Sequence, residues 1–187
     1  MQLAGCGYVI LFCLFPFKIH GFLGVFMQIL IPLVSIAALV GIDQLFKYWV
    51  LESLAPIGVY PVIEGIFQFR YLENQGMAFG MMQEQWWLLI GGTAIVLAAG
   101  IAVIVLRKIH SKWLLAAVTL AVAGGLGNLI DRIFRGFVVD YLDICAINFA
   151  VFNFADVCVS AAMVMFIIWL LFFHTGDENK HRAGKAK

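Results

Sequence analysis

Four long stretches of this sequence, residues 19–42, 85–106, 113–130 and 157–176, contain no Asp, Glu, Lys or Arg. Each is close to the length that carries a helix once across a bilayer, for which roughly 20 apolar residues are needed. Their middles are rich in Leu, Ile, Val and Ala, with the small residues that let membrane helices pack closely. The runs are apolar on every face instead of alternating, which argues against membrane strands. The reading is an all-α polytopic membrane protein with four transmembrane helices, at about residues 28–49, 86–106, 113–133 and 153–173. Only 12% of the 187 residues are charged, where a soluble domain carries about 25%. Such a chain cannot cover a soluble surface, and its apolar content excludes disorder. A net charge of +1 gives nucleic acid no footprint.

The loops set the orientation. Arg107, Lys108 and Lys112 fill the connection between the second and third spans, and Lys180, Arg182, Lys185 and Lys187 fill a basic tail at 174–187. Positive-inside asymmetry places both in the cytoplasm, so four spans put both termini there and the first and third connections outside. The first connection is more than a loop. Ile66-Phe67-Gln68-Phe69-Arg70-Tyr71 alternates at period two, and Asn74-Gln75-Gly76 is a turn signal. A small extracytoplasmic sheet, at about 57–80, is expected on the membrane surface. Residues 1–27 form an extension without an assigned role. Another uncharged run at 1–17 resembles a signal-peptide core without its basic lead, and Met27 is the simpler start of the first span. Cys6, Cys13, Cys145 and Cys158 lack metal-like spacing, so no disulfide or metal is assigned.

Polar groups inside a bilayer are expensive, which makes each a functional candidate. Asp43 and Lys47 stand near the outer end of the first span, and Asn128, Asp131 and Arg132 at the outer end of the third. Asp140 follows in the outer connection, and Asn153 and Asp156 open the fourth span. Four segments thus deliver polar groups to one depth. Asn128, Asp131 and Arg132 share a helix face, as do Asn153 with Asp156 and Asp43 with Lys47. Structural ion pairing is the favoured role for Asp43–Lys47 and Asp131–Arg132. Asp140 and Asp156 have no basic residue close in sequence beyond Arg135. Two such carboxylates placed together cannot both ionise cheaply, so one keeps a proton while the other acts as a base. That arrangement can activate water against a peptide carbonyl without a metal or other cofactor. No His falls in the outer cluster, which disfavours a Ser–His or Cys–His nucleophile and a His-based zinc site. A small ion or proton transporter and a non-catalytic assembly factor stay open as alternatives from other classes.

The strings that carry these residues occur in a familiar order. They are Asp43-Gln44-Leu45-Phe46-Lys47, Glu73-Asn74-Gln75-Gly76-Met77-Ala78-Phe79-Gly80, Gly124-Gly125-Leu126-Gly127-Asn128-Leu129-Ile130-Asp131-Arg132, Gly136-Phe137-Val138-Val139-Asp140-Tyr141 and Phe152-Asn153-Phe154-Ala155-Asp156. From about 28 to 173 the chain resembles bacterial lipoprotein signal peptidase (signal peptidase II), an aspartic endopeptidase of the cytoplasmic (inner) membrane. The resemblance implies a catalytic dyad of Asp140 and Asp156. It implies supporting or substrate-binding roles for Asp43, Lys47, Asn74, Gly124, Asn128, Asp131, Arg132 and Asn153. Within that picture Asn153 fixes the dyad, and Asn128 and Arg132 hold substrate carbonyls or lipid headgroup oxygens. Gly124, Gly125 and Gly127 either pack helices or admit the substrate helix. The implied substrate is a prolipoprotein carrying a diacylglyceryl-Cys, cleaved just before that Cys. Membrane lipids are further expected partners, with a monomer as the default state. The implied fold adds a β-cradle and a short amphipathic arm to the four helices.

Overall fold

A backbone inside lipid has no water to bond, so the apolar stretches must satisfy their own N–H and C=O groups as helices. In a computed structural model of the protein, residues 7–76 and 86–174 are described. Helix α1 spans Gly7–Trp49, α2 Trp86–Val105, α3 Lys112–Phe134 and α4 Phe154–Trp169. Four helical segments among the described residues are long and apolar enough to cross a membrane: Phe26–Leu54, Trp87–Val105, Lys112–Phe134 and Phe154–Phe172. They match the four expected spans. Helix α1 runs unbroken through the part of the supposed extension that is described, and ends in a π-helical turn, Val50–Leu54. The basic tail beyond His174 lies outside the described residues.

Ser111 starts α3 by accepting a hydrogen bond from the Leu114 N–H, which satisfies one of the otherwise unpaired donors of the first turn. Helix α3 packs against each of the other three helices, and small residues permit this. A side-chain carbon at Gly124 would collide with the Ala155 carbonyl oxygen and come within 2.8 Å of Val159 on α4. One at Gly125 would fall 2.6 Å from Leu97 on α2. Gly124 therefore sits in helix–helix contact. Ile36, Leu97, Ile104, Val122, Ala123 and Leu129 form the core of the bundle.

A three-stranded antiparallel sheet caps one end, with β1 (Val59–Ile63), β2 (Phe67–Asn74) and β3 (Val138–Asp143) in that order. The alternating run at 66–71 lies in β2 apart from Ile66, and Asn74 accepts a hydrogen bond from the Gly76 N–H, closing the expected turn. The sheet is not confined to 57–80, as the sequence suggested. Its third strand comes from the connection between α3 and α4 and carries Asp140, pairing Leu72 with Asp140 and Glu73 with Val139. Five of the six residues of β3 are buried, because Val139 and Tyr141 pack on Val50 and Leu54 below the sheet. A strand covered on both faces does not alternate, which is why its sequence gave no period-two signal. Residues 77–80, the end of the expected cradle, lie outside the described residues. No amphipathic arm stands apart from the spans among the described residues.

Candidate active site

Asn153 precedes the first turn of α4 and is fully buried. Its Oδ1 accepts from the Asp156 N–H at 3.0 Å, and its own N–H donates to Asp156 Oδ2 at 3.2 Å. This reciprocal capping box fixes the Asp156 carboxylate against the end of the helix. The Asn153 amide reaches the other way, donating to Asp140 Oδ1 at 2.6 Å and to Asn128 Oδ1 at 3.2 Å. Asn74 Nδ2 holds the second Asp140 oxygen at 2.8 Å, and Asn128 Nδ2 donates to Asp156 Oδ1 at 2.7 Å. One residue thus joins a carboxylate on β3 to a carboxylate on α4. Two further amides fix their remaining directions.

Lys47 lies beneath this layer with no exposed surface. Its three donors reach Asp43 Oδ2 at 2.8 Å, Asp131 Oδ2 at 2.9 Å and Asn128 Oδ1 at 2.9 Å. Because the Asn128 oxygen accepts from both Lys47 and Asn153, its NH2 is left to face Asp156. Both ends of the Asn128 side chain are thereby engaged inside the protein, where a substrate contact had been expected. Asp43 also accepts from the Ala155 N–H at 3.0 Å, tying α1 to the start of α4. Gly127 leaves the room for this: a side-chain carbon there would sit 2.5 Å from Asp43 Oδ2.

The expected Asp131–Arg132 pair does not form; Asp131 bonds Lys47 and Arg135. Adjacent helix residues do not face each other, whereas residues four apart do. Arg132 instead points toward the dyad region. One guanidinium nitrogen lies 3.4 Å from the Asn128 carbonyl, and the guanidinium feels the charges of Asp156 and Asp140. Gln44 was missed, although it donates to Asp43, Asp131 and the Gly127 carbonyl and accepts from Arg135. Gln44 stands beside Asp43 in one of the quoted strings and was recoverable as another polar residue within an apolar span. Arg135 was recoverable from its spacing to Asp131.

The two carboxylates occupy different surroundings. Asp140 is 1% exposed, while Asp156 is half-buried. Burial pushes the Asp140 carboxyl up to about 6. The Asn74 amide opposes this, the Asp156 charge adds to it, and the Asn153 amide and Lys47 oppose it. Asp156 stands in the first turn of α4, its carboxylate accepting the Asn153 backbone N–H. The site therefore offers one fully buried and one half-buried carboxyl, joined through one amide, near the Arg132 guanidinium.

The model of the family described as "Signal peptidase (SPase) II" matches residues 35–172. The chain belongs to the signal peptidase II family. It is 41% identical over 140 residues to a lipoprotein signal peptidase of Clostridioides difficile (strain 630), covering 75% of this chain and 94% of that one. With the lipoprotein signal peptidase of Streptococcus thermophilus (strain CNRZ 1066) it shares 37% identity over 144 residues, 76% of this chain and 94% of the other. Two solved structures, each a bacterial membrane enzyme, share the fold. One gives a TM-score of 0.67 at 29% identity, covering 75% of this chain and 87% of that one. The other gives 0.68 at 28%, covering 76% and 93%. As a signal peptidase II the chain is a multi-pass membrane peptidase that removes signal peptides from lipoproteins, so its substrates are prolipoproteins. The strings that resembled this family in the sequence contain the Asp140–Asn153–Asp156 arrangement.

Proposed function

We propose that Asp140 and Asp156 are the catalytic dyad and that they hydrolyse the peptide bond immediately before a diacylglyceryl-modified Cys. The observation that carries this reading is Asn153, which binds Asp140 through its side chain and Asp156 through its backbone. A water held between the two carboxyls loses a proton to Asp156 as its oxygen bonds to the scissile carbonyl carbon. Asp140 gives its proton to the carbonyl oxygen, forming a neutral gem-diol. In the second half, Asp140 takes a hydroxyl proton back as the C–N bond breaks, and Asp156 protonates the leaving nitrogen. The dyad returns to its starting state. Arg132 holds a substrate carbonyl or headgroup oxygen beside the dyad. Asp43, Lys47, Asn74, Asn128, Asp131 and Asn153 position the reacting groups, and Gly124 brings α4 close.

An apolar cavity of about 740 Å³ on α1 and the sheet, lined by Ile42, Phe46, Trp49, Phe69 and Phe154, suits an acyl chain of the substrate. The sheet end faces outward from the bacterial cytoplasmic membrane, and both termini are cytoplasmic. Arg107, Lys108 and Lys112 at the opposite end support that orientation. The protein acts as a monomer.

The test is cleavage of a lipidated lipobox peptide by purified protein with Asp140→Asn or Asp156→Asn. Each is expected to lose at least about a thousand-fold in kcat, as removal of an essential acid or base does. Full activity in either variant sinks the dyad. Loss of wild-type activity in EDTA sinks the metal-free mechanism.

A further inference from the structure

At the end of the bundle away from the carboxylates, an apolar groove runs between α1 and α3, with a cavity of about 570 Å³. Ile31, Pro32, Leu39, Ala116 and Leu120 are among its walls. Beside it lies a smaller, more polar cavity of about 200 Å³ bounded by Arg107, His110 and Lys112. Gln28, Lys112 and Leu115 line both, so the two adjoin. Neither lining contains a carboxylate, and neither Arg107 nor Lys112 has an ion pair among the described residues. Arg107 closes α2 at a positive φ of 55° and reaches to Gln28 Oε1 on α1, at 3.0 and 3.2 Å. That contact uses Nε and one terminal nitrogen, and Arg107 lines the smaller cavity.

We propose that this groove holds one anionic phospholipid, with its phosphate between Arg107 and Lys112 and an acyl chain lying along α1 and α3. The walls lie within the segments that cross the membrane, and Met27 and Ile31 are exposed there, so the occupant comes from the bilayer. Charge decides which occupant. The basic n-region of a signal peptide would meet two unpaired cations of its own sign. A second copy of this chain would present the same basic connection. A phosphodiester complements both cations, and each cation near an anionic lipid surface contributes about 1 kcal/mol. Nothing in the hydrolytic mechanism uses this site.

The test is native mass spectrometry of the full-length protein in detergent, titrated with phosphatidylglycerol or with phosphatidylcholine of the same chains. Wild type is expected to prefer phosphatidylglycerol roughly ten- to thirty-fold, the effect of two surface cations. Arg107→Gln with Lys112→Gln should remove that preference and leave peptide cleavage unchanged, which also shows that the variant is folded. Ala116→Phe, on an exposed position in the groove wall, should weaken retention of both lipids with the cations intact. Equal retention of the two lipids by wild type overturns the proposal, as does a preference that survives the double substitution. Undiminished binding to Ala116→Phe reduces the site to surface attraction. Displacement of the lipid by excess inorganic phosphate makes it a soluble-anion site.

Discussion

Asn153 has both atoms of its amide and its backbone N–H committed to the cluster, and this separates two jobs that a single substitution can test. Ser is as good an N-cap as Asn, so Asn153→Ser keeps the bond to the Asp156 N–H but gives up the amide that reaches Asp140. The variant is expected to insert and fold, yet to lose about a hundred-fold in kcat through misplacement of the acid. A loss confined to KM would speak against a positioning role. Asp140 itself makes a pH prediction. Burial lifts its carboxyl to about 6, so the singly protonated dyad is present below that pH and is lost as pH rises through it. The kcat/KM profile should therefore fall on its alkaline side with a midpoint near 6. Substrate that covers the half-open site removes more water, so the kcat limb should lie higher. Asn74 donates to the charged form of Asp140 and so lowers its pKa. Asn74→Ala should move the alkaline limb to higher pH, and a shift to lower pH would contradict the assignment of Asp140 as the acid.

Helices α3 and α4 meet where Gly124 faces Ala155 and Val159, one turn from the site. A Val at 124 must push the start of α4 away from α3, because the obstacle is a backbone carbonyl rather than a mobile side chain. Such overpacking costs about 1–3 kcal/mol, and it displaces Asn153 and Asp156 together. Gly124→Val should thus lose both thermal stability and activity. Gly91→Ala on α2, with nothing within 4 Å of the added carbon, should be neutral or more stable by up to about 1 kcal/mol. Equal effects at the two positions would remove the close-approach argument. The sequence made α1 to α4 legible because charges are absent from whole spans, and β2 because one side of the strand is wetter than the other. It hid β3, whose two covered faces remove the alternation. The stripes Asn128–Asp131 and Asn153–Asp156 were readable from helical spacing; Asn128 does meet Asn153 and Asp156, while Asp131 turns to Lys47 and Arg135. The partner of Asp131 was misread as Arg132 because closeness in sequence was put ahead of helical geometry.

Across the whole molecule, Asp43, Asp131, Lys47 and the partly exposed Arg135 balance in charge and bring α1, α3 and the end of the bundle that carries the sheet into one network. Removing one member of such a network typically costs 3–5 kcal/mol, since it strands an unpaired buried charge. Among the described residues a network of this kind sits only at one end, and the cations Arg107 and Lys112, without ion pairs there, sit at the other. That polarity gives the chain a direction in the membrane. Cys145 offers a way to read it. It lies just after β3 at the sheet end, is partly exposed, and carries a free thiol, whereas Cys158 is buried in α4. With Cys6 and Cys13 replaced by Ser, a membrane-impermeant maleimide added to intact cells should label Cys145 and spare Cys158. A cysteine placed at His110, in the basic connection, should react only after the cells are opened. The reverse pattern would put Asp140 and Asp156 in the cytoplasm and overturn the proposed orientation.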